Sequence, residues 1–288
     1  MARNSNRTNP NSLEEQNEPI QADSAAPIVS GGQMSWSTPT EFVELPSQGK
    51  FYPPGHPLDG EDTLEIRFMT AKEEDILTSR ALLKKGIVLD RLIDSVIVDK
   101  RIKSKDLLIG DKNAVLIATR VTGYGEEYDT KVQCPSCGTT SDSSFNIDEV
   151  KKVQESELPE GVESTESNTF VLTTPATKAS VECRLMTGDD ERKLAKMEEQ
   201  RRKHKLPSAA LTNQLRQSIV AVNGNNQPSY VNGFVDNMPA RDSRYIREVY
   251  QKVMPNVTLE HSFECESCDY VAEAQGVPLG TNFFWPDA

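Results

Sequence analysis

Four of the five cysteines of this 288-residue chain come in two C-x-x-C pairs, CPSCG at Cys134–Gly138 and CESCD at Cys265–Asp269, and the second pair starts 131 residues after the first. A C-x-x-C turn offers two thiolates from one tight loop, and two such turns close the tetrahedral shell of a structural zinc ion. Cys134, Cys137, Cys265 and Cys268 are therefore the expected metal ligands and zinc the expected structural cofactor. Four thiolates leave no open position, so the set points away from catalytic zinc. A redox role would call for a pair at a helix N-terminus, where the thiol pKa falls, and neither pair has that setting. His261 alternates onto the strand face of Phe263 and Cys265 and reads as a strand residue, not a ligand.

Most zinc ribbons close within about 15–20 residues, so the long separation has to be explained by the elements that carry the two turns. LEIRFM, Leu64–Met69, alternates as a half-buried strand does. Thr70 with Glu73 forms a capping box, opening a helix with Leu77, Leu82 and Leu83 on its apolar stripe and Gly86 at its end. IVLDRLIDSVIVD, Ile87–Asp99, predicts a second, buried helix. A third is expected to start at Asp111 as N-cap, carry Val115, Leu116 and Ala118, and close at Gly123-Tyr124-Gly125. EYDTKVQ then reads as the strand that delivers Cys134.

The same order returns further along. VECRLMTGDDERKL, Val181–Leu194, aligns without gaps to LEIRFMTAKEEDIL, Leu64–Leu77, with Arg67 and Arg184, Thr70 and Thr187, and Glu74 and Glu191 among the identities. LRQSIVAV echoes LIDSVIVD, and Asp242, read as a cap for the helix RYIREVYQKV, precedes Cys265 by the 23 residues that separate Asp111 from Cys134. Order kept at this length marks a duplication. The expected fold is α+β, with two similar halves, each running strand, helices, strand and C-x-x-C knuckle, joined by a split zinc-ribbon-like site. In that arrangement Cys183 falls opposite Ile66 and reads as a small buried hydrophobe.

Composition sets the boundaries. Residues 1–40 are rich in Asn, Ser, Gln, Pro and Gly and read as a disordered tail. Residues 41–147 form the first half, 148–168 an acidic linker with seven acidic and two basic residues, and 169–288 the second half with an aromatic C-terminal tail. No run approaches the roughly 18 apolar residues of a membrane span. The start lacks the apolar stretch of a signal peptide, so a cytoplasmic site of synthesis is expected. A net charge of −12 repels phosphate backbones, and nucleic acid is not an expected partner. Arg201–Lys205, RRKHK, reads as a solvated helix end. His56, His204 and His261 sit in no catalytic pattern, and no phosphate-cradling glycine loop is present.

Two segments look suited to partners: the strap FVELPSQGKFYPPGHPL, Phe42–Leu58, with four prolines and two glycines, and the terminal Phe283-Phe284-Trp285. The strap can instead complete the chain's own core, and the terminal aromatics are expected to pack in a groove on this protein or on a neighbour.

ELPSQGKFYP, RFMTAKEEDIL, LLIGDKNAVLIATRVTGYGEEY, CPSCG and the closing FFW, in this order, resemble the baseplate hub and hub-assembly proteins of T-even-type contractile-tailed bacteriophages. The likeness covers most of residues 41–145 and returns at the end. It implies a late, non-enzymatic protein of virion and tail morphogenesis, with other baseplate hub proteins as partners, found in the tail baseplate or in the host cytoplasm during assembly. It does not choose between hub subunit and assembly factor, and zinc rests on the cysteine spacing. A zinc-ribbon nucleic-acid-binding factor is the alternative, but it would need a basic or aromatic ribbon face, of which CPSCGTTSDSS and CESCDY offer little. A thiol oxidoreductase is a third reading.

Overall fold

The computed structural model describes residues 28–30, 33–35 and 37–285. It divides into two compact units, Met1–Pro39 and Thr40–Ala288. The described part of the first unit is an antiparallel pair, β1 (Ile28–Ser30) and β2 (Gln33–Ser35). The expectation of a disordered tail over residues 1–40 otherwise falls largely outside the described residues.

The second unit opens with antiparallel β3 (Thr40–Glu44) and β4 (Thr63–Arg67), linked by the proline-rich strap. Helices α1 (Ala71–Thr78), α2 (Arg80–Lys85), α3 (Val88–Val96) and α4 (Ile109–Tyr124) follow. The first expected helix is thus two: Ser79 has extended backbone (ψ 104°), which no α-helix continues through, and Leu83 is left 42% exposed. Helix α3 stops at Val96, short of Asp99, because Ile97 leaves it to bridge Ile66 and the Val98 amide donates to Glu65 O at 3.1 Å.

Strands β5 (Glu127–Gln133) and β6 (Thr140–Asn146) form a hairpin, followed by the one-turn α5 (Ile147–Val150). Residues 148–168, read from composition as a linker, contain β7 (Lys151–Gln154) and β8 (Val162–Ser164). Next come β9 (Phe170–Thr173), β10 (Ser180–Cys183), α6 (Gly188–Lys203), α7 (Ala210–Ser218) and β11 (Ile219–Val222). The chain ends with α8 (Pro228–Asn237), α9 (Ala240–Val253), β12 (Asn256–Glu264) and β13 (Val271–Gly276). The architecture is mixed α+β with small antiparallel sheets, β11-β10-β9-β8 and β13-β12-β7 being the larger.

Matching bonds recur where the sequence alignment places them. Thr70 caps α1 through Glu73, and Arg67 reaches the same carboxylate at 2.7 Å. Thr187 caps α6 through Asp190, which Arg184 holds at 2.7 Å. Asp111 and Asp242 are not N-caps: α4 starts at Ile109 and α9 at Ala240, making each Asp the third helical residue. Both are buried and accept bonds from a distant proline-bearing turn. Asp111 takes the Ser47 amide (3.0 Å), the Ser47 hydroxyl (2.6 Å) and the Tyr52 hydroxyl (2.7 Å). Asp242 takes the Ala176 amide (2.7 Å) and the Thr177 amide and hydroxyl (2.9 and 2.7 Å).

The main core draws Ile66, Leu92 and Ile117 from before residue 147 and Phe170, Ile246 and Phe283 from after it. Each such side chain contributes about 1.5–3 kcal/mol by burial. Across the middle, the Gly188 amide donates to Leu107 O (2.9 Å), and Lys112 lies between Asp90 (3.0 Å) and Glu191 (2.9 Å). Gly188 is required there, since a Cβ would stand 2.6 Å from Ser104 O.

The candidate metal centre

Each cysteine pair is the connection of a hairpin. Along β5, Tyr128 and Val132 turn inward, and the strand pairs with β6 out to Gln133 and Thr140, leaving CPSCGT as the turn. Along β12, Val257, Leu259, His261 and Phe263 are buried in strict alternation, and pairing with β13 out to Glu264 and Val271 leaves CESCDY. The turns close alike: the Cys134 amide donates to Thr139 O (2.8 Å) and the Cys265 amide to Tyr270 O (3.0 Å). Gly138, at φ +75°, donates to Cys134 O at 2.9 Å; that left-handed conformation favours glycine.

The two turns meet. Cys134 Sγ lies 3.8 Å from Cys268 Sγ and Cys137 Sγ 3.6 Å from Cys265 Sγ, with all four sulfurs within 4.8 Å of one another. Tetrahedral sulfurs at the zinc–sulfur distance of about 2.3 Å stand about 3.8 Å apart. Cysteines arranged this way can hold one metal ion. Cys134, Cys265 and Cys268 sit in their own small apolar cluster with Val132, Phe263, Tyr270 and Ala272, separate from the main core. Cys134 and Cys265 are buried, Cys268 is half-buried and Cys137 is exposed.

The Cys137 and Cys268 thiols are shifted in opposite directions. Bonds from Thr139 hold the Cys137 thiol well below its ordinary value. At Cys268 the Tyr270 amide pulls the value down, but desolvation and the neighbouring sulfurs outweigh it and raise the thiol. A metal that takes all four as thiolates must displace protons.

The other candidates lie elsewhere. The ring of His261 stacks on Phe145 at 4.7 Å, and the His261 ring is not among the potential ligands gathered at the sulfurs. His56 stacks on Tyr52 at 4.6 Å, and His204 caps the exposed end of α6. Cys183 is wholly buried, and that burial, with Glu182 adding to it, pushes its thiol up to about 12. Both aromatic segments fold onto this chain. Tyr52 is 1% exposed, and Phe283 and Phe284 are buried, with Phe283 5.2 Å from the Tyr128 ring. Phe42 is the exception in the strap, at 66% exposed.

The family described as T4 bacteriophage base plate protein matches residues 38–284, nearly the whole of the second compact unit. The chain belongs to that family. No curated protein and no solved structure matches it. As a T4-type phage baseplate protein it has its place in the tail of the virion, among other tail proteins. Among the described residues no helix is long and apolar enough to cross a membrane.

Proposed function

We propose that this baseplate protein is a non-enzymatic component of the central hub, as structural subunit or assembly factor, with its fold stapled by one structural zinc on Cys134, Cys137, Cys265 and Cys268. The observation that carries the reading is the meeting of four sulfurs from turns 131 residues apart at tetrahedral spacing. Residues 41–147 and 169–288 act as two equivalent halves, supported by the paired capping boxes and by the paired turn-binding roles of Asp111 and Asp242. The ion then clasps equivalent hairpin ends across the join, and its binding free energy adds to that of folding.

Nucleic-acid binding is the weaker reading. The hairpins around the cysteines carry Glu127, Asp129, Asp142, Glu264, Glu266 and Asp269 against Lys131, the wrong sign for a phosphate backbone. Quantifying this chain in purified tails tests the hub assignment. Stoichiometric presence identifies a structural subunit, and absence combined with defective hubs identifies an assembly factor. Normal tails from a phage lacking the chain would refute both.

A further inference from the structure

In the second half a sheet of four strands, β11-β10-β9-β8, is complete; in the first half the corresponding sheet stops one strand short. The correspondence can be followed bond by bond. Leu45 N donates to Asp62 O at 2.8 Å where β3 leaves β4, and Thr174 N donates to Ala179 O at 2.9 Å where β9 leaves β10. From there the registers run in parallel, Phe42 opposite Glu65 and Val171 opposite Glu182. Even the strand beyond β4 has its counterpart in the Ile97–Ile66 bridge, matching β11 beside β10.

What differs is the outer edge. Val171 is covered by Glu163 of β8, whereas among the described residues of the unit Thr40–Ala288 no strand pairs with the outer edge of β3. Antiparallel geometry turns alternate residues outward. Since Leu45 bonds inward to β4, the N–H and C=O groups of Phe42 and Glu44 point to the open edge. An exposed edge with a large apolar side chain is a template for strand addition. Phe42 is 66% exposed, with exposed Glu41 and Glu44 on either side and exposed Glu61 and Asp62 at the end of the sheet.

We propose that the edge of β3 receives an extended segment of another tail protein, pairing antiparallel as β8 pairs with β9. The segment carries an apolar side chain over Phe42 and lysine or arginine beside it, to complement the acidic flank. This rests on the hub reading for the class of partner, and on the comparison of the two sheets for the site.

Two measurements on the full-length chain test it. In the isolated protein the Phe42 and Glu44 amides exchange with solvent as open groups while those of Val43 and Leu45 are protected; protection of Phe42 and Glu44 in the isolated chain would mean the edge is already filled and overturn the proposal. In the phage, Phe42→Pro removes the outward N–H but none of the β3–β4 bonds, and Phe42→Lys sets a cation against the basic segment. Both variants are expected to melt like the parent and to lower the yield of assembled tails by roughly tenfold or more, the scale of a weakened strand addition. If Phe42→Pro perturbs melting, Phe42→Lys alone decides. A normal yield from the deciding variant overturns the edge, provided deletion of the whole chain abolishes tails. Normal tails after deletion refute the hub reading instead.

Discussion

Replacing Tyr52 by Phe removes one oxygen from a site where two groups depend on it. The Tyr52 hydroxyl donates to Asp111 at 2.7 Å and accepts from the Leu108 amide at 3.1 Å, and the side chain is 1% exposed. Without it the Leu108 N–H is buried with no acceptor, which costs about 1–3 kcal/mol. Asp111 also loses one of three donors, and burial already raises its carboxyl above the ordinary value against the pull of Ser47 and Tyr52. A hydrogen bond to such a group is worth about 1.5–3 kcal/mol, giving a total of about 2.5–6 kcal/mol and a fall in melting midpoint on the order of 10 °C. Tyr250 supplies the internal control. Its hydroxyl accepts from the Met186 amide at 2.8 Å and donates to no carboxylate whose bond the structure records, so Tyr250→Phe should cost about 1–3 kcal/mol. Equilibrium urea unfolding of both variants, with Asp111→Asn alone and combined with Tyr52→Phe, separates the terms, because partners in one network are not additive. A Tyr52→Phe cost no larger than that of Tyr250→Phe, or strict additivity with Asp111→Asn, would refute the assignment of the Tyr52 hydroxyl as a shared link.

Acid should weaken the fold through the two capping boxes. Burial raises the carboxyls of Glu73 and Asp190, but the bonds from Ser95 and Thr70 to the first and from Arg184 and Thr187 to the second outweigh it and hold both below their ordinary values. Their contribution is therefore present above about pH 4, the unfolded range, and lost as pH falls through the depressed values; a Glu73→Gln variant as acid-sensitive as the parent in melting experiments would count against this. Gly110→Ala should destabilise by about 1–3 kcal/mol or more, because its Cβ would stand 2.1 Å from Pro255 O. Gly233→Ala in α8, with nothing within 4 Å of the new Cβ, should stabilise by about 0.5–1 kcal/mol; chemical denaturation giving both the same sign would contradict the packing. On the proposed zinc clasp, adding a chelator or substituting Cys134→Ser should open residues 132–140 and 263–272 to amide exchange while the main core stays protected, since the two apolar clusters are separate. Uniform loss of protection across the chain would show that the clasp and the core are not independent.

Features that depend on neighbours in sequence were legible before the fold was known. The Thr70 capping box, the alternation that puts His261 and Phe263 on one strand face, and the strand that delivers Cys134 all follow from spacing over a few residues. The grouping of Cys134, Cys137, Cys265 and Cys268 was legible because two C-x-x-C turns supply the donors that one ion would gather, and the structure brings their sulfurs within 4.8 Å of one another. Asp111 and Asp242 were misread as helix caps because an acid near a helix start carries the same local signature whether it bonds its own helix or a turn 64 or 66 residues away. The break at Ser79 likewise depends on tertiary packing, as does the choice of this chain over a neighbour for the groove that takes Phe283 and Phe284, and period and composition encode neither. Pairing of β7 with β12 gives an acidic, proline-bearing stretch a place in a sheet through backbone bonds that its composition does not disclose.

The zinc clasp is tested most directly by measuring the metal in protein purified without added zinc and recording X-ray absorption at its edge. The expected result is one zinc per chain with a shell of four sulfurs at about 2.3 Å, lost when Cys134, Cys137, Cys265 and Cys268 are all changed to Ser. A chain that carries no metal and binds none when zinc is supplied, or a shell containing nitrogen or oxygen in place of the four sulfurs, would contradict it.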